Sequence, residues 1–480
     1  MYICFLQFKL KNTNEYTPPY TLYLIPFKMK DLSVGKESKL IIRFAIPLLL
    51  GLVFQQLYSV ADSIIVGKFL PNGEQALAAI GAAFPVIFFL ISLVVGISSG
   101  STIIISHYFG DKDYEGIQKA IDTINIFLFV CSILISVIGI MFAQTIFEYM
   151  QLPADVIPDA VTYMQIYSAG FILMFGFHGI SAILRGVGDS RKPLYILIIS
   201  SVLNVILDLL FIIVFKFGVA GVAWATILSQ GLTFIAIVIY LNKKHPLLKI
   251  RFRNIQFDTD IFKQSVTIGL PSGMQQAFVG LGSIALMAIV SKFGTTAVAA
   301  YSVAGRIDML CSVPAIALSM ALSTFVGQNM GARKIDRVVS GYKITLGMGI
   351  GISLLLSLIT IVFRYQIMSM FTNEYTLIPI GVDYLLIVSP FYFAFAILFI
   401  SNGVLRGAGD TIIPMFVTLF ALWGIRVPLS YWLSLHFGEI GIWWGIPAGW
   451  LFGMTFSTAY YLLGRWKKKV IVRKRVPQEV

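Results

Sequence analysis

Two aspartates stand where a charge is expensive. Asp62 and Asp208 each fall inside a long apolar stretch of this 480-residue chain. A carboxylate at the centre of a membrane-spanning helix costs about 2.5–3.5 kcal/mol on insertion scales, so such residues are mostly functional. Gln55 precedes Asp62 by seven residues and Tyr58 precedes it by four, which puts all three on one helical face. Asn204 precedes Asp208 by four and shares its face in the same way. Carboxylate and amide oxygens suit a hard cation such as Na+. Two carboxyls brought close can instead share a proton. Residue type leaves both ions open, and for Asn204 it also leaves plain interhelical hydrogen bonding.

Other polar residues inside apolar stretches say less. His178 follows Tyr163 and Tyr167 on one segment; it is placed either to line a cargo cavity or to be a satisfied buried histidine. Arg306 and Asp308 are two apart and point to different faces, so they are not paired. Arg306 is a candidate cavity residue, and Arg426 stands just before Pro428. Asp383, Glu148 and Glu374 fall near the ends of apolar runs and read as solvated. The cysteines, Cys4, Cys131 and Cys311, show no pairing or metal-binding pattern. The four histidines are scattered, and no nucleophile–base set or His-Glu-x-x-His is present. An enzyme is not expected, nor is a resident cofactor.

These residues must be positioned by helices in lipid. Hydrophobic residues make up 58% of the chain, charged residues 12%, and mean hydropathy is +0.85; a soluble domain carries roughly 25% charged residues. Twelve apolar segments read as spanning helices, at about 40–66, 76–105, 119–146, 159–184, 192–215 and 219–241, then 264–291, 297–325, 341–363, 377–404, 412–435 and 440–463. Open sheet cannot satisfy its backbone there. The fold expected is all-α and polytopic, with twelve helices in two six-helix lobes. Residues 1–38 form an N-terminal tail, 39–241 the first lobe, 242–263 a basic linker, 264–464 the second lobe and 465–480 a basic tail. Residues 1–28 hold no span and no targeting pattern, and translation from Met29 is expected to give the same membrane protein. Of 36 Lys and Arg, 30 fall in the tails and even-numbered loops and four in the odd-numbered loops. That bias puts both termini in the cytoplasm of a plasma (inner) membrane protein. It also explains the net charge of +13 without nucleic acid, since basic loops face anionic lipid.

The halves repeat at an offset of about 221 residues. Leu184-Arg185-Gly186-Val187-Gly188-Asp189 recurs as Leu405-Arg406-Gly407-Ala408-Gly409-Asp410. Tyr108-Phe109-Gly110-Asp111-Lys112 aligns with Asn329-Met330-Gly331-Ala332-Arg333. Six spans per half give both copies one polarity, with the central site between lobes. The RGxGD loops read as tight structural turns in which Asp can cap the next helix.

The doubled LRGxGD, the Gly327-Gln328-Asn329-Met330-Gly331-Ala332 element and the opening Ile46-Pro47…Gln55…Asp62-Ser63-Ile64-Ile65-Val66-Gly67 resemble the multidrug and toxic compound extrusion (MATE) transporters over about residues 30–465. The resemblance implies two six-helix lobes and export of cationic, lipophilic drugs against inward Na+ or H+. Within that family the chain is similar to the DinF/MepA-like branch, whose cation site is in the N-terminal lobe. Asp62 then matches the acid of span 1, Asn204 and Asp208 the pair of span 5, Thr226 the hydroxyl of span 6, and Gln55 a polar position near the site. Pro47 matches the proline where span 1 bends. Together Asp62, Asn204, Asp208 and Thr226 supply oxygen ligands for Na+. The other branch's C-lobe acids are absent: Ser265–Ser291 has none, and Asp383 is near the outer end of span 10. The expected partners are drug-like small molecules and membrane lipid, and the chain is expected to act as a monomer. A flippase or exporter of a lipid-linked or other metabolite, in the same superfamily, is the alternative.

Overall fold

A computed structural model describes residues 30–471, apart from 71–72, 252, 372–373 and 470. The expectations about residues 1–28 and Met29, and most of the 465–480 tail, lie outside the described residues.

Among the described residues, twelve long helical units follow one another, with one short helix, Arg364–Ser369, between the ninth and the tenth. The first lobe holds α1 (Glu37–Phe69), α2 (Gly73–Gly110), α3 (Tyr114–Tyr149), α4 (Ile157–Ala169 continued by Phe171–Gly186), α5 (Arg191–Leu209, ending in a π-helical turn, Leu210–Val214) and α6 (Gly218–Lys244). The second holds α7 (Thr259–Val290), α8 (Thr295–Gly331), α9 (Ile335–Val362), α10 (Leu377–Val388 and Tyr392–Gly407), α11 (Ile412–Leu419, π-helical Phe420–Arg426, Val427–Phe437) and α12 (Glu439–Leu462). Among the described residues, ten helices are long and apolar enough to cross a membrane, and α4 as one bent span makes eleven. The twelfth, α12, has the length, 24 residues. Its Trp443, Trp444 and Trp450 and its glycines make it less apolar, and Ile442, Trp443 and Ile446 are fully buried.

One expectation needs correction, and one span carries a bend. The fourth span bends by 52° at Gly170, where a side chain would collide with Ile227 of α6. The linker is shorter than 242–263, because α6 runs to Lys244 and α7 starts at Thr259, with Asp258 Oδ1 accepting from the N–H groups of Asp260 and Ile261. What lies between is held on the first lobe. Gln118 donates to the Lys249 carbonyl at 3.0 Å, Asn242 brackets Ile250, and the N–H of Asp258 donates to Thr123 at 3.0 Å.

The repeat is visible in how the lobes meet. The first half of α1 (Ile41, Phe44, Ala45, Leu48) packs in one cluster with Leu318, Ala321, Leu322 and Phe325 of α8. The second half (Ile65, Val66) packs in the first lobe, with Ala79, Tyr163 and Val222. Equivalently, α7 of the second lobe crosses α2 of the first. There Gly96 and Gly100 face Gly273 and Gly269 so closely that a Cβ on Gly100 would sit 2.9 Å from the Gly269 Cα. Small residues permit such backbone approach in lipid. Thus the first helix of each half packs on the second helix of the other half. These contacts fall in the half of the bundle that carries the chain ends, called here the terminal face.

Each RGxGD segment closes its helix in the same way. The Asp189 N–H donates to the Leu184 carbonyl at 2.9 Å and that of Gly188 to Arg185 at 3.0 Å; Asp410 and Gly409 repeat this with Leu405 and Arg406, both at 2.8 Å. The pattern requires a left-handed residue, supplied by Gly188 (φ 84°) and Gly409 (φ 88°). Asp189 caps the next helix by accepting from the N–H of Arg191 and Lys192. Asp410 instead accepts from the Tyr460 hydroxyl at 2.8 Å.

Candidate functional site

In the first lobe, α1, α4, α5 and α6 bring a compact set of oxygens together. Asp208 and Asn204 are buried on α5, 0% and 1% exposed, and Thr226 of α6 is 5% exposed. Asp62 reaches in from α1, and its carboxyl lies close enough to that of Asp208 for the two to interact. The Asn204 amide satisfies both its ends by donating to Asp208 Oδ2 at 3.1 Å and accepting from the Thr226 N–H at 3.2 Å. Thr226 Oγ1 in turn donates to the Val222 carbonyl at 3.1 Å. Tyr58, one turn before Asp62, lies beside Thr226. Tyr163 and Tyr167 of α4, with ring centroids 5.7 Å apart, close the set.

The arrangement leaves a place for a positive charge. Asp62 Oδ1 and Asp208 Oδ1 are buried without a hydrogen-bond partner. An unpartnered buried carboxylate oxygen is costly, and two carboxyls in contact cannot both stay charged without a proton or cation between them. Two carboxylates, an amide oxygen and a hydroxyl fit either ion. Among the described residues no group of three or more His, Cys, Asp and Glu gathers that could hold a metal ion.

Not every candidate joins. Gln55 is exposed, two turns along α1 from Asp62, and stays outside the cluster. Pro47 is buried inside α1, which runs past it as one 33-residue helix. Phe44 and Leu48, on either side of it, are both packed against α8. Tyr163 lies with the carboxyl pair, on the inner side of α4. His178 stacks edge-on against Phe177 with centroids 5.5 Å apart. Arg306 is exposed.

The second lobe holds a charged cluster that spacing did not reveal. Asp308 accepts from the Tyr384 hydroxyl at 3.3 Å, and Tyr392, Tyr301 and Arg426 lie within electrostatic reach of it. A carboxylate is therefore present inside both lobes, not in the first alone. Tyr384 is the repeat equivalent of Tyr163, the one signal that linked the two sites. The positions equivalent to Asn204 and Asp208 are Ile425 and Leu429, which with Gly424, Pro428 and Trp432 line a shallow apolar pocket of about 320 Å³.

The MatE family profile matches residues 47–210 and 271–432, one copy in each lobe. The chain belongs to the MatE family. MatE proteins are membrane transporters rather than enzymes, and this one is a multi-pass member. It is 33% identical over 460 residues to the probable multidrug resistance protein YoeA of Bacillus subtilis, covering 94% of this chain and 98% of that one. Its structure is similar to one described as the outward-facing conformation of a multidrug resistance MATE family transporter of the MOP superfamily, with TM-score 0.83, 25% identity and 92% and 97% coverage. It is equally similar to a MOP superfamily transporter from Pyrococcus furiosus whose binding pocket is described as of reverse polarity, suggesting a different function (TM-score 0.84, 25% identity, 93% and 99% coverage).

Proposed function

We propose that this MatE transporter is a cation-coupled exporter of amphipathic, cationic drugs, driven by inward H+ or Na+ at Asp62, Asn204, Asp208 and Thr226. The observation that carries it is a buried, partnerless oxygen on each of two neighbouring carboxyls, Asp62 and Asp208. A coupling ion works by favouring one conformation over another. This pair joins α1, which is shared between the lobes, to α5, which belongs to the first, so neutralising it acts on the element that links them. The N-lobe position of these acids supports the DinF/MepA-like branch. The drug cargo rests on the name of YoeA, and the basic terminal face supports cytoplasmic termini in the plasma membrane. The chain acts as a monomer, since both lobes of the central site are on one polypeptide.

Efflux from proteoliposomes under an imposed pH gradient or an imposed Na+ gradient, applied separately, tests the reading. One gradient drives cargo out and Asp208→Asn abolishes the response. Efflux indifferent to both gradients overturns it. Export of a metabolite is the second reading, favoured by the similarity to the Pyrococcus furiosus transporter of reversed pocket polarity and by Arg426 inside the second lobe. Under it, dyes and cationic drugs are not moved.

A further inference from the structure

One set of bonds plays no part in the cation site. At the end of α2, His107 Nε2 donates to the carbonyl oxygen of Gly407 at 2.8 Å. At the end of α8, Gln328 Nε2 donates to the carbonyl oxygen of Gly186 at 3.1 Å. His107 and Gln328 are repeat equivalents, and so are Gly186 and Gly407, at the same offset. The two bonds are one contact made twice, as in an isologous interface between two copies. The backbones close by the same rule. A side chain on Gly110 would strike the carbonyl of Gln328, and one on Gly331 would strike that of His107. Gly110 and Gly331 are again equivalents. Each bond runs from one lobe to the other, and both donors are buried, at 2% and 0% exposure.

We infer that His107 and Gln328 are the latch of the transport cycle, the paired positioning residues that hold the terminal face shut. The inference rests on the transport reading above, in which the lobes must part. The acceptors suit the role. Gly186 and Gly407 end α4 and α10, where helix carbonyls lack an intrahelical partner. The RGxGD motif thus does more than turn the chain: its second glycine makes the turn, and its first presents a carbonyl to the opposite lobe. The strength also suits it. A buried neutral hydrogen bond that water can replace on opening is worth a factor of roughly five in an equilibrium. Two such bonds bias the gate while leaving it within reach of a coupling ion. The halves are equal in geometry and unequal in load. Gln328 Oε1 also accepts from the Leu32 N–H at 2.8 Å, and Asn329 donates to the Leu32 carbonyl at 3.3 Å. The segment leading into α1 is therefore strapped to the Gln328 half.

Spin labels at Arg191 and Ile412 report the gate. These exposed residues are repeat equivalents at the first positions of α5 and α11, beside the two RGxGD turns. In the otherwise native chain, freed of its own cysteines and reconstituted in liposomes, the distance distribution has one dominant short component. His107→Phe removes the donor, and Gln328→Glu removes the donor while keeping the acceptor for Leu32. Each raises the long-distance fraction relative to the short one roughly fivefold, and the double variant multiplies the two. His107→Gln, which places there the donor used by its equivalent, keeps the native distribution. Distances unmoved by both single variants and the double overturn the latch. So does a shift in His107→Gln as large as that in His107→Phe, since shape and not the bond would then be responsible. Cargo efflux is measured on the same liposomes. If the native chain moves no cargo under either gradient, the transport reading fails, and the distances still decide the latch.

Discussion

At the residue scale, the carboxyl pair of the first lobe carries the strongest expectations. Asp208→Asn removes the charge and keeps the shape, so gradient-driven efflux is lost while the protein still inserts and elutes as a folded species. Asp62→Asn reduces it severely, with the ion's effect on cargo affinity falling by roughly 5- to 150-fold, the usual span of a coupling free energy. Asp383→Asn, whose parent residue is half-buried towards the far end of α10 from the latch, leaves efflux near native. The reverse order of effects would move the coupling site to the second lobe. Asp308→Asn tests the other cluster: it leaves Arg426 without its nearby carboxylate and so lowers thermal stability by several degrees, consistent with the loss of a buried charge partner. An unchanged melting temperature would separate the two charges. Asp62, Asn204 and Asp208 were legible because polar residues at helical spacing stand out in apolar stretches. Their meeting was not, since they come from helices far apart in sequence, and only the family resemblance joined them. Asp308 was hidden for the same reason. Its neighbour Arg306 is exposed, and the residues that surround it, Tyr384, Tyr392 and Arg426, come from α10 and α11.

At the element scale, helix identity followed from apolar length, while breaks followed from contacts that hydropathy does not encode. Gly170 gives no periodicity signal, yet the approach of Ile227 bends α4 there. The π-helical turns are equally silent in the sequence. One begins two residues after Asp208 and the other ends on Arg426, so each lobe's α5-type helix widens beside its charged residue. The linker offers a pH test. His245, just past α6, is buried, and that burial, with Lys192 nearby, pushes it down to about 4. The unfolded chain holds this proton at about 6.5. It therefore binds more protons between these values, and the stability contributed by neutral His245 is full above about pH 6.5 and lost as pH falls towards 4. Melting of the detergent-solubilised protein should soften over that window, and His245→Gln should reduce the slope. A slope identical in both proteins would remove His245 from the account. Gly100→Val places a branched side chain against α7 where only hydrogen fits. It should cost several kcal/mol or separate the lobes, seen as lost expression or lost efflux.

At the scale of the whole molecule, the repeat makes one geometric statement. The lobes touch through equivalent elements on the terminal face, so parting them there should bring the opposite ends together. Cysteines replacing the exposed Lys68, at the end of α1, and Lys292, after α7, lie away from that face. Their crosslinking yield should rise on adding the coupling cation or cargo that opens the terminal face. A crosslink that locks them permanently with transport intact would contradict rocking lobes.

The shared packing of α1 also bears on how the chain is made. It is the first described helix to leave the ribosome, and its second half finds partners almost at once in α2 and α4. Its first half waits. Phe44 and Leu48 are covered by Leu318, Leu322 and Phe325, which are synthesised only after the linker and α7 have been inserted. During that interval Pro47 stands in a helix that is anchored at one end alone, with lipid in place of α8. The nascent protein cannot finish its first helix until it has nearly finished its eighth. A mutation in α8 that spoils this seat should therefore appear as a defect in biogenesis, in which the early helices are recognised as unassembled, before it appears as a defect in transport.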